Sequence, residues 1–254
     1  RSTQGVSSAA SDVYKRQDKM SLIINVGKTE IKWFDEFFKS DINKIGIHLS
    51  AGIDSSLLLW LLCKFATDLN RFDLEIYPAH ARDIANRARN FTAVTNDIIK
   101  IISDQFPNIK IQPITVGIFN SHKDARRVVW SKKPDEKLRN ELGVDLIIDA
   151  TNLNFTEEEA TQIGIDITSS TWINERDHKR DPHRILTGID TYENVEKLYP
   201  FYNCNKFVIK ELYERYNLMD TIFPLTCSCI ETVGKFPCEK CHWCIEKKAV
   251  FGVY

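Results

Sequence analysis

The chain of 254 residues lacks a charge excess of either sign, since 34 Lys and Arg stand against 35 Asp and Glu for a formal charge of −1. A polyanion-binding protein usually shows a basic face, so this balance argues against a nucleic-acid partner. The sequence also lacks any apolar run near the roughly 20 residues that a membrane helix needs. Its longest, "LLLWLLC", is far shorter. No internal repeat is visible. No secretory signal accompanies the Asn-x-Thr sequons at Asn90 and Asn154, so both read as chance and a cytoplasmic location is expected. Apolar periodicity is missing from residues 1–19, "RSTQGVSSAASDVYKRQDK", which precede Met20. They read as a fusion or translation scar outside the fold, with a native disordered tail as the alternative.

What is present is a globular composition, with 43% hydrophobic and 27% charged residues, enough for one large domain or one domain plus an appendage. From Met20 on, strand and helix signals alternate. "SLIINV" is a strand candidate, and "TEIKWFDEFF" has an N-cap Thr29 with Ile31, Phe34 and Phe38 at helical spacing. "KIGIHLS" reads as a buried strand and "DSSLLLWLLCKFATDL" as a helix that is apolar around most of its circumference. A strand "LEIYPAH", a helical segment over 83–106, a strand "IKIQPITV" and a charged helical stretch over 124–142 follow. The strand "VDLIIDA" then leads to "TNLNFTEEEATQIG", where Thr156 and three glutamates resemble a capped helix start. Residues 165–194, containing "NERDHKRDPHR", break the rhythm and read as a long loop or small subdomain. "NKFVIKELYERYNL" returns to helix before a cysteine-rich tail. This alternation predicts an α/β fold with a Rossmann-like parallel sheet covered by helices on both faces, whose ligands bind beyond the carboxyl ends of the strands.

The segment Ser50-Ala51-Gly52-Ile53-Asp54-Ser55-Ser56 joins a predicted strand to a predicted helix. The first N–H groups of a helix have no intrahelical partner and carry the positive end of its dipole. A small-residue turn lets a phosphate approach them closely. The alternative is that Asp54 or Ser55 merely caps the helix.

"LSAGIDSS" resembles the Ser-Gly-Gly-x-Asp-Ser pyrophosphate loop of the N-type ATP pyrophosphatases. Ser50, Gly52, Asp54 and Ser55 match, and Ala51 replaces the first glycine, at little cost if its φ is negative and more if positive. The resemblance implies that Leu49, Ser50, Ala51, Gly52, Ile53, Asp54, Ser55 and Ser56 cradle ATP with Mg2+ while a substrate carboxyl or carbonyl is adenylated. "DATNLN" resembles the segment that other members place beside the nucleotide, which adds Thr151 and Asn152; both residue types are also common turn formers.

Five of the seven cysteines crowd "LTCSCIETVGKFPCEKCHWC". Cys238, Cys241 and Cys244, with Cys229 or Cys227 upstream, have the separations of a four-thiolate zinc shell. An iron–sulfur cluster or a redox dithiol is the alternative reading. His242, between two ligands, is expected to point outward, and Cys63 and Cys204 are expected to be ordinary residues. The tail resembles the C-terminal zinc site of the 7-cyano-7-deazaguanine synthases, on which alignment Zn2+ is held by Cys229, Cys238, Cys241 and Cys244, with Cys227 a bystander. Lys206 matches the lysine of that family's preceding helix.

Three segments are expected: the tail 1–19 outside the fold, 20–194, which the resemblance makes an ATP-binding α/β domain, and 195–254, a helical segment with a cysteine site. The resemblance implies a ligase that converts 7-carboxy-7-deazaguanine and ammonia to the nitrile, with Asp54, Ser55 and Lys206 catalytic. The family's Tyr-Gly-Gln-Arg-His and Val-Pro-x-Arg-Asn segments are absent here. Tyr77 and His80 stand near the first, and His80 either assists substrate or ends a strand. The acceptor could therefore be another carboxylate, such as a protein terminus, or a tRNA base, and a non-catalytic nucleotide- or zinc-binding module is the reading from another class. No general base is named by the sequence; Lys206, His80, His178 and His183 are the candidates. A homodimer is compatible with the sequence.

Overall fold

The computed structural model describes residues 22–33, 41–83, 91–119, 134–166, 189–192, 195–229 and 237–254. The tail 1–19, His178, His183 and most of the charged segment 165–194 lie outside them.

The chain opens with a hairpin of β1 (Leu22–Val26) and β2 (Thr29–Trp33), paired antiparallel with Val26 opposite Thr29. The helix expected from Thr29 is thus a strand as far as Trp33, while Phe34 and Phe38 lie outside the described residues. The two-residue turn decides the matter. Gly27 takes φ +54 at its first position, which favours glycine and closes tight hairpins. Ile24, Val26 and Ile31 are buried, so the apolar period here is two.

Strand β3 (Lys44–His48) leads through the loop into helix α1 (Ile53–Asp68). Strand β4 (Glu75–Asp83), helix α2 (Phe91–Gln105) and two short strands, β5 (Lys110–Ile111) and β6 (Thr115–Phe119), follow. Both short strands lie parallel to β4, so the single strand expected at "IKIQPITV" is an edge interrupted at Pro113, which has no N–H for the ladder. A five-residue π-helical turn (Lys137–Glu141) is the described end of the helical stretch expected over 124–142, and β7 (Leu146–Ile148) comes next. Helix α3 (Glu157–Gln162) carries the expected cap: Thr156 Oγ1 accepts from Glu159 N–H while Glu159 accepts from Thr156 N–H.

The expected loop over 165–194 contains at least one strand, β8 (Ile189–Tyr192), which pairs antiparallel with β9 (Val195–Leu198). Because β9 also lies parallel to β7, the sheet continues past residue 194. Helix α4 (Lys206–Arg215), a 3-10 turn (Phe223–Leu225) and helix α5 (His242–Phe251) complete the order. Val208, Ile209, Tyr213, Val250 and Phe251 share one core with α1 and the sheet.

Among the described residues the main sheet has seven strands and runs β5-β4-β3-β7-β9-β8, with β6 also on β4. The chain moves from β3 to β4 on one side and returns to β7 on the other, so the order reverses between β3 and β7. In open α/β sheets, ligands bind in the crevice at that point. On one face Ile45, Ile47 and Ile148 pack with α1 in the main core. The other face carries Ala79, Leu138 and Ile147, where segment 134–142 lies so close that a Cβ on Gly117 would meet the Pro134 ring at 2.8 Å and its backbone N at 2.9 Å. A Gly117→Ala substitution is therefore expected to destabilise the fold by about 1–3 kcal/mol. Urea unfolding measures this, and an unchanged midpoint would show that the segment does not press on β6. Among the described residues no helix is long and apolar enough to cross a membrane.

Candidate functional site

Three segments converge at the carboxyl ends of β3 and β7: the β3–α1 loop, the turn after β7, and the entry to α4. Leu49 continues the β3 ladder by donating its N–H to Ala79 O at 2.8 Å. Ala51 then adopts φ +60, the costly branch for a residue in the glycine position, at about 1–2 kcal/mol. Its methyl is fully buried, and its carbonyl accepts the N–H of Cys227 at 2.8 Å. The surrounding packing holds a conformation the residue would not choose.

The N-cap of α1 is Gly52, and among the described residues no side chain caps the helix. Neither Asp54 nor Ser55 serves as the cap, which corrects that alternative and leaves the first-turn N–H groups for a ligand. Ser50 donates its N–H to Ser55 Oγ at 3.2 Å, and the two hydroxyl oxygens stand 3.2 Å apart. Ser56 is fully buried and donates its hydroxyl to Gly52 O at 2.8 Å, which closes the turn from behind. Leu49 and Ile53 are core residues at 1% exposure each, so only their backbone can face a ligand.

Asp54 is the meeting point. Lys206, the first residue of α4, forms an ion pair with Asp54 Oδ2 and is only 4% exposed. Asn152 Nδ2 donates to Asp54 Oδ1 at 3.1 Å. On α5, buried Glu246 stands 3.9 Å from Lys206 Nζ. Asn205 caps α4 by accepting from the N–H groups of Phe207 and Val208, and Leu153 N–H donates to Cys204 O at 2.7 Å, tying the second segment to the third. The structure thus brings Asp54, Ser55, Asn152 and Lys206 together. Thr151 is exposed, and both its N–H and its hydroxyl donate to Asp149 Oδ1, at 2.8 and 2.6 Å, so it shapes the turn. Tyr77 gives its hydroxyl to Glu75 near the start of β4, away from the carboxyl edge. His80 is buried within β4, in register with Val116.

A charged network on the opposite face of the sheet was not foreseen from the sequence. His48 Nδ1 bonds Asp149 Oδ2 at 2.8 Å, His48 Nε2 bonds Asp135 Oδ1 at 2.6 Å, and Lys197 of β9 pairs with Asp135. Two carboxylates on one imidazole require both ring nitrogens to donate, hence an imidazolium. Burial opposes that charge, but the hydrogen bonds to Asp135 and Asp149 and their negative charges prevail and raise the pKa to about 9. Burial likewise opposes the Asp149 and Asp135 carboxylates, and the His48 bonds prevail, holding both below the usual carboxylate range. Through Thr151, Asp149 also shapes the turn that presents Asn152 to the loop.

The linkage has a definite sign. His48 has a folded pKa above its unfolded value, so its contribution is complete below about 6.5 and fades as pH rises through about 9. The two aspartates have depressed folded values, so theirs is present above about 3.8 and fades as pH falls. Stability in urea is therefore expected to decline between about pH 7 and pH 9.5, and a His48→Gln variant to lose that slope. A slope retained by the variant would place the titrating group elsewhere.

In the tail, the sulfurs of Cys229, Cys238, Cys241 and Cys244 all lie within 4.8 Å of one another. A tetrahedral zinc with Zn–S bonds of about 2.3 Å needs sulfurs about 3.8 Å apart, and Cys238 Sγ lies 4.0 Å from Cys244 Sγ. The donor set fits a metal ion held by four thiolates, with Cys227 outside it. Burial opposes the Cys238 thiolate, but backbone hydrogen bonds at Lys240 and Cys241 prevail and lower its pKa, whereas burial and the neighbouring Cys241 raise that of Cys244. Cys241 is the N-cap of α5 and Cys244 lies in its first turn. His242 does not point outward: it is 1% exposed, with its ring 4.2 Å from that of Trp243. Cys63 and Cys204 are fully buried, and burial pushes both thiols up.

No family model matches the sequence, and no curated protein does. Among solved structures, the U34-tRNA thiolase NcsA from Methanococcus maripaludis, with its 4Fe–4S cluster, is similar at 14% identity, 85% coverage of this chain and a TM-score of 0.41. The alignment spans 65% of the thiolase. NMN synthetase from Francisella tularensis is similar at 13% identity, over 87% of this chain and 82% of that one, with a TM-score of 0.40. Likenesses this distant carry no functional weight.

Proposed function

We propose that this chain is an ATP-dependent ligase that adenylates a carboxylate at the β3–α1 loop and passes the acyl group to ammonia. One observation carries the reading. A small-residue loop at the strand-order reversal opens onto an uncapped helix start, and it is braced by Lys206 and Asn152 on Asp54.

In the reaction a carboxylate oxygen attacks the α-phosphorus of ATP; the new O–P bond forms as the bond to pyrophosphate breaks. Negative charge grows on the departing pyrophosphate. The first N–H groups of α1 and the hydroxyls of Ser50 and Ser55 are the groups placed to receive it, without reorganising at the moment of reaction. Magnesium would travel with the ATP phosphates and neutralise charge there. Asp54 has one oxygen on Lys206 and the other on Asn152, so it holds the loop. Ammonia then attacks the acyl carbon and expels AMP, leaving the amide. The amide oxygen then attacks the α-phosphorus of a second ATP and expels a second pyrophosphate; loss of AMP and of the two N–H protons leaves the nitrile.

For the acceptor we propose 7-carboxy-7-deazaguanine, supported by the resemblance of the cysteine tail. Zn2+ is the proposed ion at Cys229, Cys238, Cys241 and Cys244, where it would close a knuckle that has little core of its own. The expected result is pyrophosphate release that requires both this acid and ammonia, with two pyrophosphates per nitrile. Release with a tRNA or a peptide carboxylate instead would replace the acceptor. ATP binding without turnover on any acceptor, with the biological role intact in Asp54→Ala, would leave a non-catalytic nucleotide-binding module.

A further inference from the structure

Resting on the ATP-loop reading above, we propose that the cysteine knuckle and the nucleotide loop are thermodynamically coupled, with Glu246 and the backbone of Cys227 as the positioning groups. The knuckle touches the loop from two sides. Upstream of the first metal-ligating cysteine, Cys227 N–H donates to Ala51 O at 2.8 Å. That carbonyl belongs to the residue held at φ +60, whose conformation sets the course of the loop into α1. Downstream, α5 begins at the ligand Cys241 and carries the ligand Cys244 in its first turn. Glu246 follows on the same helix, 1% exposed and 3.9 Å from Lys206 Nζ, which in turn pairs with Asp54.

A metal closing the four thiolates fixes the position of Cys229 and the N-terminus of α5 together. It thereby fixes both the donor to Ala51 and the carboxylate behind Lys206. A buried cation held between two carboxylates has one favoured position, and moving either partner moves it. When the knuckle is open, Ala51 and Lys206 lose these constraints and the loop must order itself on binding ATP. Metal and ATP then each favour the same arrangement, and the coupling is reciprocal by necessity.

The test is a linkage measurement on the wild-type chain. The affinity for Zn2+ is measured by competition with a chromogenic chelator, with and without MgATP. The affinity for MgATP is measured by titration calorimetry on metal-loaded and metal-stripped protein. Each ligand is expected to tighten the other by the same factor, about tenfold. In Glu246→Gln the factor is expected to fall toward one while one zinc per chain is retained. The KM for ATP should rise more than kcat falls, a split that a general loss of fold would not produce. MgATP binding with a factor of one in the wild type overturns the coupling and leaves the ATP reading standing. A full factor retained in Glu246→Gln removes Glu246 from it. Absence of MgATP binding by the metal-loaded protein overturns the ATP reading, and this inference with it.

Discussion

An Asp54→Ala variant is expected to lose about 100- to 1,000-fold in kcat/KM for acceptor-dependent pyrophosphate release, because the loop whose N–H and hydroxyl groups are aimed at the leaving group is then no longer held in place. It is also expected to lose about 3 kcal/mol of stability, because truncating one partner strands a buried charge. The stranded group is Lys206, 4% exposed on α4. The stability figure is at the low end of the range for such pairs, since the Asp54 side chain is 21% exposed and Glu246 remains 3.9 Å from the lysine. Asp54→Asn separates the two effects. It keeps an acceptor for Lys206 and the volume of the side chain, so most of the stability should return while turnover stays depressed. Wild-type kcat/KM in Asp54→Ala, measured by coupled pyrophosphate assay, would remove the loop from the chemistry.

The second large effect concerns the metal. Replacing Cys229, Cys238, Cys241 or Cys244 singly with alanine is expected to abolish tight zinc binding, whereas Cys227→Ser keeps one zinc per chain. In small zinc modules, binding free energy on the order of 10 kcal/mol serves as folding free energy. Chelation should therefore lower the melting temperature of the wild type and leave that of the four ligand variants unmoved. Cys227 is the informative control, because its sulfur is outside the four-thiolate group while its backbone N–H is used. Elemental analysis showing iron, with absorbance in the visible, would replace zinc by an iron–sulfur cluster.

The central layer of the fold was legible because its parts are continuous apolar runs. The strands "KIGIH" and "LII" and the helix over 53–68 form the centre of the main core, and a small-residue turn between two such runs marks a strand-to-helix junction. Where the reading missed, two periods competed or the deciding partner was distant. Residues 29–33 fit both a helix and a strand, and only the Gly27-Lys28 turn favoured the hairpin. Strand β9 was hidden because Lys197 occupies a buried position, 3% exposed, and a charge there reads as a loop unless its partner Asp135 is known. The His48 bonds join residues 87 and 101 apart, and Lys206 meets Asp54 across 152 positions. Such pairings leave no local trace. Within the candidate site, the loop and the four cysteines were visible as spacing, and the match at Lys206 turned out to lie against the loop's aspartate. The sign of φ at Ala51 was not visible, because alanine occupies either branch and only the packing around it decides.

The most direct test of the account follows oxygen. The 7-carboxy-7-deazaguanine carboxylate is labelled with oxygen-18 and turned over with MgATP and ammonia, and the nucleotide product is weighed by mass spectrometry. The account predicts AMP carrying one labelled oxygen, transferred from the acceptor when the acyl–phosphate link is cleaved. Unlabelled AMP, or ADP in its place, would contradict adenylation of the acceptor by this loop.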